Sequence, residues 1–183
     1  IYKLNQKLAA HLAADVVRLM YTAIKNYCDG LINSFDEISS DRKTLLGKIA
    51  EYIFDKQKLN EPVNLVYVCT HNSRRSHFGQ VWAQVAANYY QIKNVNTFSG
   101  GTEATAFNKN AINALIRLGF KIETNDEGVN PNYHVYFSET EKPCLCFSKV
   151  YNDSNNPQNN FAAIMTCGDA EQNCPYIPGV ELR

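Results

Sequence analysis

The sequence predicts an α/β fold with parallel strands joined by right-handed crossovers. Two observations carry that reading. Residues 63–68 (Val-Asn-Leu-Val-Tyr-Val), 95–99 and 161–166 are short runs of the kind buried in a parallel sheet, the first of them rich in β-branched residues. Between them lie stretches whose apolar residues recur every three or four positions, as a helix packed on one face requires. A chain of 183 residues, 45% hydrophobic and 20% charged, suits one globular domain with at most a small second core.

Each element has its own local warrant. From residue 1 to about 30, Leu4, Leu8, Leu12, Val16, Leu19, Met20, Ala23 and Tyr27 share one helical face, with Gly30 as the stop. Ser40 opens a second helix with Asp41 in its first turn, where the helix dipole favours an acid. Leu45, Leu46, Ile49, Tyr52 and Ile53 supply its buried face, and Pro62 closes it. The pair reads as a helical hairpin or N-terminal extension over residues 1–60, ahead of a main domain over 61–183.

In that domain the first strand leads through a polar loop to a helix carrying Phe78, Val81, Trp82, Val85, Ala86 and Tyr89. Gly100 and Gly101 close the second strand. Residues 108–118 are helical with Ile112, Leu115 and Ile116 inward and Gly119 as the stop. Residues 133–137 and 144–147 flank a polar turn, which predicts an inserted hairpin. The Asn-rich stretch 152–160 with Pro157 is loop, and no internal repeat is present.

Charge and cysteine usage narrow the function. Lys plus Arg and Asp plus Glu are both 18, a balance that argues against nucleic acid as the main partner. No apolar run approaches the ~18–20 residues of a membrane span, and no basic, then apolar, leader is seen. A chain beginning at Ile1 and ending at Arg183 is expected to be trimmed or incomplete at either end. Of six cysteines, four lie in the last forty residues. With apolar content ample for a core, they point to a cytoplasmic protein with redox or nucleophilic chemistry, not to a secreted disulfide framework.

The loop after the first strand, Cys69-Thr70-His71-Asn72-Ser73-Arg74-Arg75-Ser76, is the strongest chemical signal. A loop entering a helix N-terminus aims backbone N–H groups at a common centre and adds the positive end of the helix dipole. The amides from Thr70, His71, Asn72, Ser73, Arg74 and Arg75 would line a pocket for a small oxyanion. The same field favours a nucleophilic thiolate at Cys69. Arg75 grips two oxygens of a tetrahedral anion with its planar fork, and Ser76 donates a hydrogen bond to the thiolate.

The stretch Val-Tyr-Val-Cys-Thr-His-Asn-Ser-Arg-Arg-Ser resembles the active-site loop of the low-molecular-weight protein tyrosine phosphatases and the related thioredoxin-coupled arsenate reductases. Phe98-Ser99-Gly100-Gly101-Thr102-Glu103 is similar to the turn after their second strand. The resemblance covers roughly residues 63–178. It implies a four-stranded parallel sheet of flavodoxin-like topology, with Cys69 as nucleophile, Arg75 as oxyanion clamp and Ser76 as thiolate stabiliser. Asn72, with Ser99 nearby, would hold the loop in its strained shape.

His71 stands where the family has glycine, which predicts an altered backbone angle there. Arg74 stands where many members have a second cysteine. His71 and Arg74 would add positive potential at the pocket mouth, and His77 is assigned to structure.

Cys167-Gly168-Asp169-Ala170-Glu171-Gln172-Asn173-Cys174-Pro175 resembles a cysteine-containing loop of the arsenate reductases. That likeness implies a relay. Arsenate adds to Cys69, Cys167 attacks the Cys69 sulfur, and Cys174 carries the oxidation onward to a thioredoxin. A zinc site built from Cys144, Cys146, Cys167 and Cys174 lacks the usual ligand spacing. Cys144 and Cys146 alternate along a strand and should pack on one face. No cofactor is required, and Gln80 falls where a glutamate would assist the potassium that some arsenate reductases bind.

The family's Asp-Pro general acid has no counterpart in this sequence, and its last strand and final helix are expected to be missing. The resulting exposed edge would favour pairing with a second copy. Three readings stand open: an arsenate reductase, a phosphatase working through a phosphocysteine, and a non-catalytic oxyanion-binding module.

Overall fold

The computed structural model describes residues 20–173 and 176–183. Two helices come first, α1 (Thr22–Ile32) and α2 (Ser40–Lys58), joined through a 3-10 turn at Phe35–Glu37. Then follow β1 (Val63–Cys69), α3 (Arg75–Tyr89), β2 (Val95–Gly101), α4 (Lys109–Arg117) and β3 (Lys121–Glu123). The chain continues as β4 (Tyr133–Tyr136), β5 (Cys144–Cys146), β6 (Phe161–Met165), α5 (Gly168–Asn173) and β7 (Val180–Leu182).

The main sheet is parallel throughout, in the order β2-β1-β6-β7. This is the α/β, flavodoxin-like arrangement that the sequence predicts. β1 occupies the interior and is buried on both faces. Val63 and Leu65 pack with Ala87 and Val95, whereas Val66 and Val68 pack with Phe161 and Ala170. Such two-sided burial explains why the strand reads as a continuous apolar run.

A fourth strand forms at Val180–Leu182, although the sequence reading expected the last strand to be absent. Three residues are too few to register as an apolar run, and pairing with β6 defines them. The inserted hairpin is present as β4 and β5, with Val135 opposite Cys144. β3 extends it to a three-stranded antiparallel sheet.

The N-terminal helices depart from the reading in detail. Residues 1–19 of the expected first helix lie outside the described residues. Gly30 does not stop α1, which runs on to Ile32. Ile24 and Cys28 are buried in the same core as Val81, Leu115, Phe137 and Cys146. In α2 the cap is Ser39, whose hydroxyl accepts from the Arg42 amide at 3.4 Å, with Ser40 the first helical residue.

Tyr52 and Ile53 do pack on the sheet, but Leu45 and Leu46 are exposed because nothing described covers the first half of that helix. Similarly, Ile116 of α4 is exposed, and Ala111 faces inward with Ile112 and Leu115. Gly119 ends that segment at φ +99°, a conformation that favours glycine.

Candidate active site

The site is built where β1 ends. Cys69 is the last residue of β1 and Arg75 the first of α3, so residues 70–74 form the turn between them. Cys69 is almost fully buried, and its Sγ lies 3.1 Å from the hydroxyl of Ser76 in the first turn of α3. Ser76 in turn accepts a hydrogen bond from Asn72 Nδ2 at 2.8 Å. With its oxygen held by Asn72, the hydroxyl is free to donate to the sulfur. Asn72 occupies the left-handed region at φ 42°, and His71 does not. The glycine missing at position 71 therefore leaves no strain, since Asn tolerates the left-handed angle next door.

Remote segments fix the rest of the loop. The amide of Lys149 donates to Asn72 Oδ1 at 2.9 Å. The hydroxyls of Ser148 and Thr105 both donate to the His71 carbonyl, at 2.9 and 3.1 Å. Ser73 donates to the Ala106 carbonyl at 2.8 Å, and its own carbonyl accepts from the Asn108 amide at 2.9 Å. The amides of Thr102 and Glu103 donate to the carbonyls of Cys69 and Thr70. With carbonyls turned outward to these partners, the amides from His71 to Arg75 are left for a ligand.

Gly101 shows why two glycines close β2. Its amide donates to the Lys149 carbonyl and its carbonyl accepts from the Tyr151 amide, each at 2.9 Å. On the other side a Cβ would meet the Thr70 carbonyl at 2.6 Å and the Asn72 nitrogen at 2.7 Å. Gly100 is crowded by the backbone of Tyr151 in the same way.

Ser99, expected to support the loop with Asn72, instead donates to Gln80 Oε1 at 2.7 Å. The register explains the difference. Gly101 lies opposite Cys69, so Ser99 lies opposite Tyr67, three residues before the loop begins at Thr70.

Cys167 arrives from the neighbouring strand. The amide and hydroxyl of Thr166 both donate to the Val68 carbonyl, at 2.8 and 2.9 Å. This ties the end of β6 to the end of β1 and sets Cys167 Sγ 3.5 Å from the Thr70 hydroxyl. Burial alone would raise the Cys167 thiol's pKa. The Thr70 hydroxyl, the Ala170 and Thr70 amides and the Arg75 guanidinium together bring it below the usual thiol value. Cys174 lies outside the described residues.

Cys69, His71, Ser73, Arg74, Arg75 and Phe78 line a cavity of about 420 Å³ at the mouth. His71 stands 3.5 Å from the Glu103 carboxylate, both side chains being more than half exposed, so that pair offsets part of the positive potential expected there.

Over 115 residues the chain is 26% identical to an arsenate reductase of Staphylococcus aureus strain Newman, covering 62% of this chain and 67% of the relative. By sequence, the chain is similar to arsenate reductases over that span. Arsenate reductase 2 of Staphylococcus haemolyticus is 25% identical, and arsenate reductase 2 of Staphylococcus epidermidis 24%, over spans of the same length and coverage. No family model matches. Among the described residues no helix is long and apolar enough to cross a membrane.

Several other residues singled out in the sequence are held in the interior. His77 is fully buried and stacked on Phe107, with centroids 4.1 Å apart. Burial, aided by the nearby charge of Lys149, lowers its pKa to about 3. Cys144 and Cys146 are buried on one face of β5, and burial pushes the Cys144 thiol up to about 12. Gln80 is fully engaged. Its Nε2 donates to the Leu145 carbonyl at 3.0 Å while its Oε1 takes the Ser99 hydroxyl.

Thr105, Ser148 and Lys149 hold the loop, and no spacing in the sequence marks them.

Proposed function

We propose that the protein reduces arsenate with Cys69 as nucleophile. In the first step the Cys69 thiolate displaces water from arsenate, forming a sulfur–arsenic bond while Arg75 and the loop amides hold the oxyanion charge. The Cys167 thiolate then attacks Cys69 Sγ. A Cys69–Cys167 disulfide forms, the electron pair of the sulfur–arsenic bond passes to arsenic, and arsenite leaves. Cys174 attacks Cys167 in turn, releasing the Cys69 thiolate, and an external dithiol such as thioredoxin reduces the Cys167–Cys174 disulfide.

One observation carries this reading above the others: a thiol with a lowered pKa, Cys167, stands against the oxyanion loop itself, 3.5 Å from Thr70. Phosphate-ester hydrolysis through Cys69 would need no thiol there. The similarity to arsenate reductases supports the same choice.

The test is NADPH consumption in a mixture of arsenate, thioredoxin and thioredoxin reductase, with Cys69→Ser and Cys167→Ser as controls. Turnover should vanish in both. Arsenate turnover unaffected by Cys167→Ser would overturn the relay. Aryl phosphate hydrolysis without arsenate turnover would make the protein a phosphatase. Failure of phosphate or arsenate to protect Cys69 from alkylation would sink the oxyanion pocket itself.

A further inference from the structure

We infer that a second cavity, between the outer edge of β2 and the turn leading into β5, is a binding site for a small organic acid. The inference does not depend on the reaction proposed at Cys69. The cavity measures about 590 Å³, and its walls include two cations, Lys149 and Lys142, one carboxylate, Glu141, and Gln84, Phe98, Pro143 and Phe147. That volume lies in the range of small-molecule sites, roughly 300–1,000 Å³, and is far larger than one tetrahedral ion needs.

Lys149 marks where the acid group sits. Its side chain is buried, with 4% of the residue exposed, yet no carboxylate lies within ion-pair distance of its ammonium among the described residues. The ammonium rests instead over the ring of Phe147, 4.3 Å from the centroid. A ring face compensates a buried cation only in part. Asp153 attracts it from beyond ion-pair range, while burial lowers its pKa. A bound carboxylate supplies the missing counter-charge.

Gln84 adds a donor of the right kind. Its Oε1 accepts from the Thr97 hydroxyl at 3.1 Å, which leaves the Nε2 group without a partner among the described residues. An ammonium and a neutral amide donor on one cavity make a carboxylate-recognising pair. Phe98, Pro143 and Phe147 offer apolar surface to the rest of the ligand.

The occupant would also bear on the loop. The Lys149 amide holds Asn72 Oδ1, Asn72 holds the Ser76 hydroxyl, and that hydroxyl lies 3.1 Å from Cys69 Sγ. A ligand that shifts Lys149 therefore acts on the thiol through three consecutive hydrogen bonds.

The experiment titrates the full chain, labelled with 13C at the lysine ε carbons, with acetate, succinate and citrate, and separately with inorganic phosphate. The Lys149 signal is assigned by its loss in Lys149→Met. At least one carboxylate should shift that signal saturably. In calorimetry its affinity should fall at least tenfold in Lys149→Met and in Gln84→Leu, and persist in Arg75→Ala.

No Lys149 shift with any carboxylate at tens of millimolar overturns the site, that being about the weakest binding worth the name. So does a response lost in Arg75→Ala and kept in Lys149→Met, which places the anion on the loop. Phosphate shifting Lys149 where no carboxylate does overturns the organic-acid assignment. A Cys69 alkylation rate unchanged at saturation overturns the coupling.

Discussion

Replacing Gly101 by alanine tests whether the loop's shape is imposed from β2. The new methyl group would meet three backbone atoms: the Glu103 carbonyl oxygen, the Thr70 carbonyl oxygen at 2.6 Å and the Asn72 nitrogen at 2.7 Å. Ordinary contact begins near 3.4 Å, so the loop must retreat by roughly 0.7–0.8 Å in an interior that does not compress freely.

Retreat in the other direction is closed, because Gly101 pairs with Lys149 and Tyr151 at 2.9 Å. Overpacking of this kind costs about 1–3 kcal/mol of stability. A reacting group displaced by about 1 Å loses on the order of 100-fold in rate. Gly101→Ala should therefore fold with a lowered denaturation midpoint, and phosphate should protect its Cys69 from iodoacetamide far less well, as followed by mass spectrometry. Protection within twofold of the parent, in a folded variant, would refute the idea that Gly101 sets the loop.

Two further perturbations follow from groups around the site and the N-terminal helices. Thr70→Val removes the hydroxyl at 3.5 Å from Cys167 Sγ that helps hold the thiol's pKa down. The pH midpoint of Cys167 alkylation should move upward, with slower reaction at pH 7, and an unmoved midpoint would dismiss that contact. Glu181→Gln breaks the link from α2 to β7, where Glu181 accepts from Tyr52 at 2.8 Å and from Lys56 at 2.9 Å.

Burial opposes ionisation of Glu181, but Lys56 and Tyr52 bring its pKa below the usual glutamate value. Its stabilising contribution is therefore present above that usual value and lost as pH falls through the lowered one. With a third of the side chain exposed, screening limits the cost of Glu181→Gln to below about 1 kcal/mol at pH 7. Urea midpoints of the two proteins should converge in acid.

What could be read from the sequence was whatever depends on neighbours in the chain. The run at residues 63–68, the cysteine ending it and the arginine six positions on are local facts, and the structure sets them as strand, loop and helix start. Helix faces were less legible. Leu45 and Leu46 have the right spacing but lie on a half of α2 that no described element covers, and Ile116 is on the edge of the α4 face. β7 was invisible because three residues carry no period. Ser99 was misjudged for a different reason. Its motif is genuine, but the register decides that Gly101, and not Ser99, stands opposite Cys69.

The stretch 124–160 looks in the sequence like an interruption of the strand–helix alternation, and its end carries the loop's main supports. Ser148 and Lys149 lie two and three residues past β5 and reach His71 and Asn72, 77 positions earlier in the chain. No property of either residue announces this, since a serine and a lysine after a strand are ordinary. What makes them effective is the antiparallel sheet, which returns the chain to the outer side of Gly101. Cys69 and Arg75 can be read in one line of sequence, but an oxyanion pocket needs their amides held in place before a ligand arrives. Part of that preorganisation comes from the chain leaving the inserted sheet, so loss of that segment should impair the site while leaving the whole Cys-x5-Arg loop in the chain.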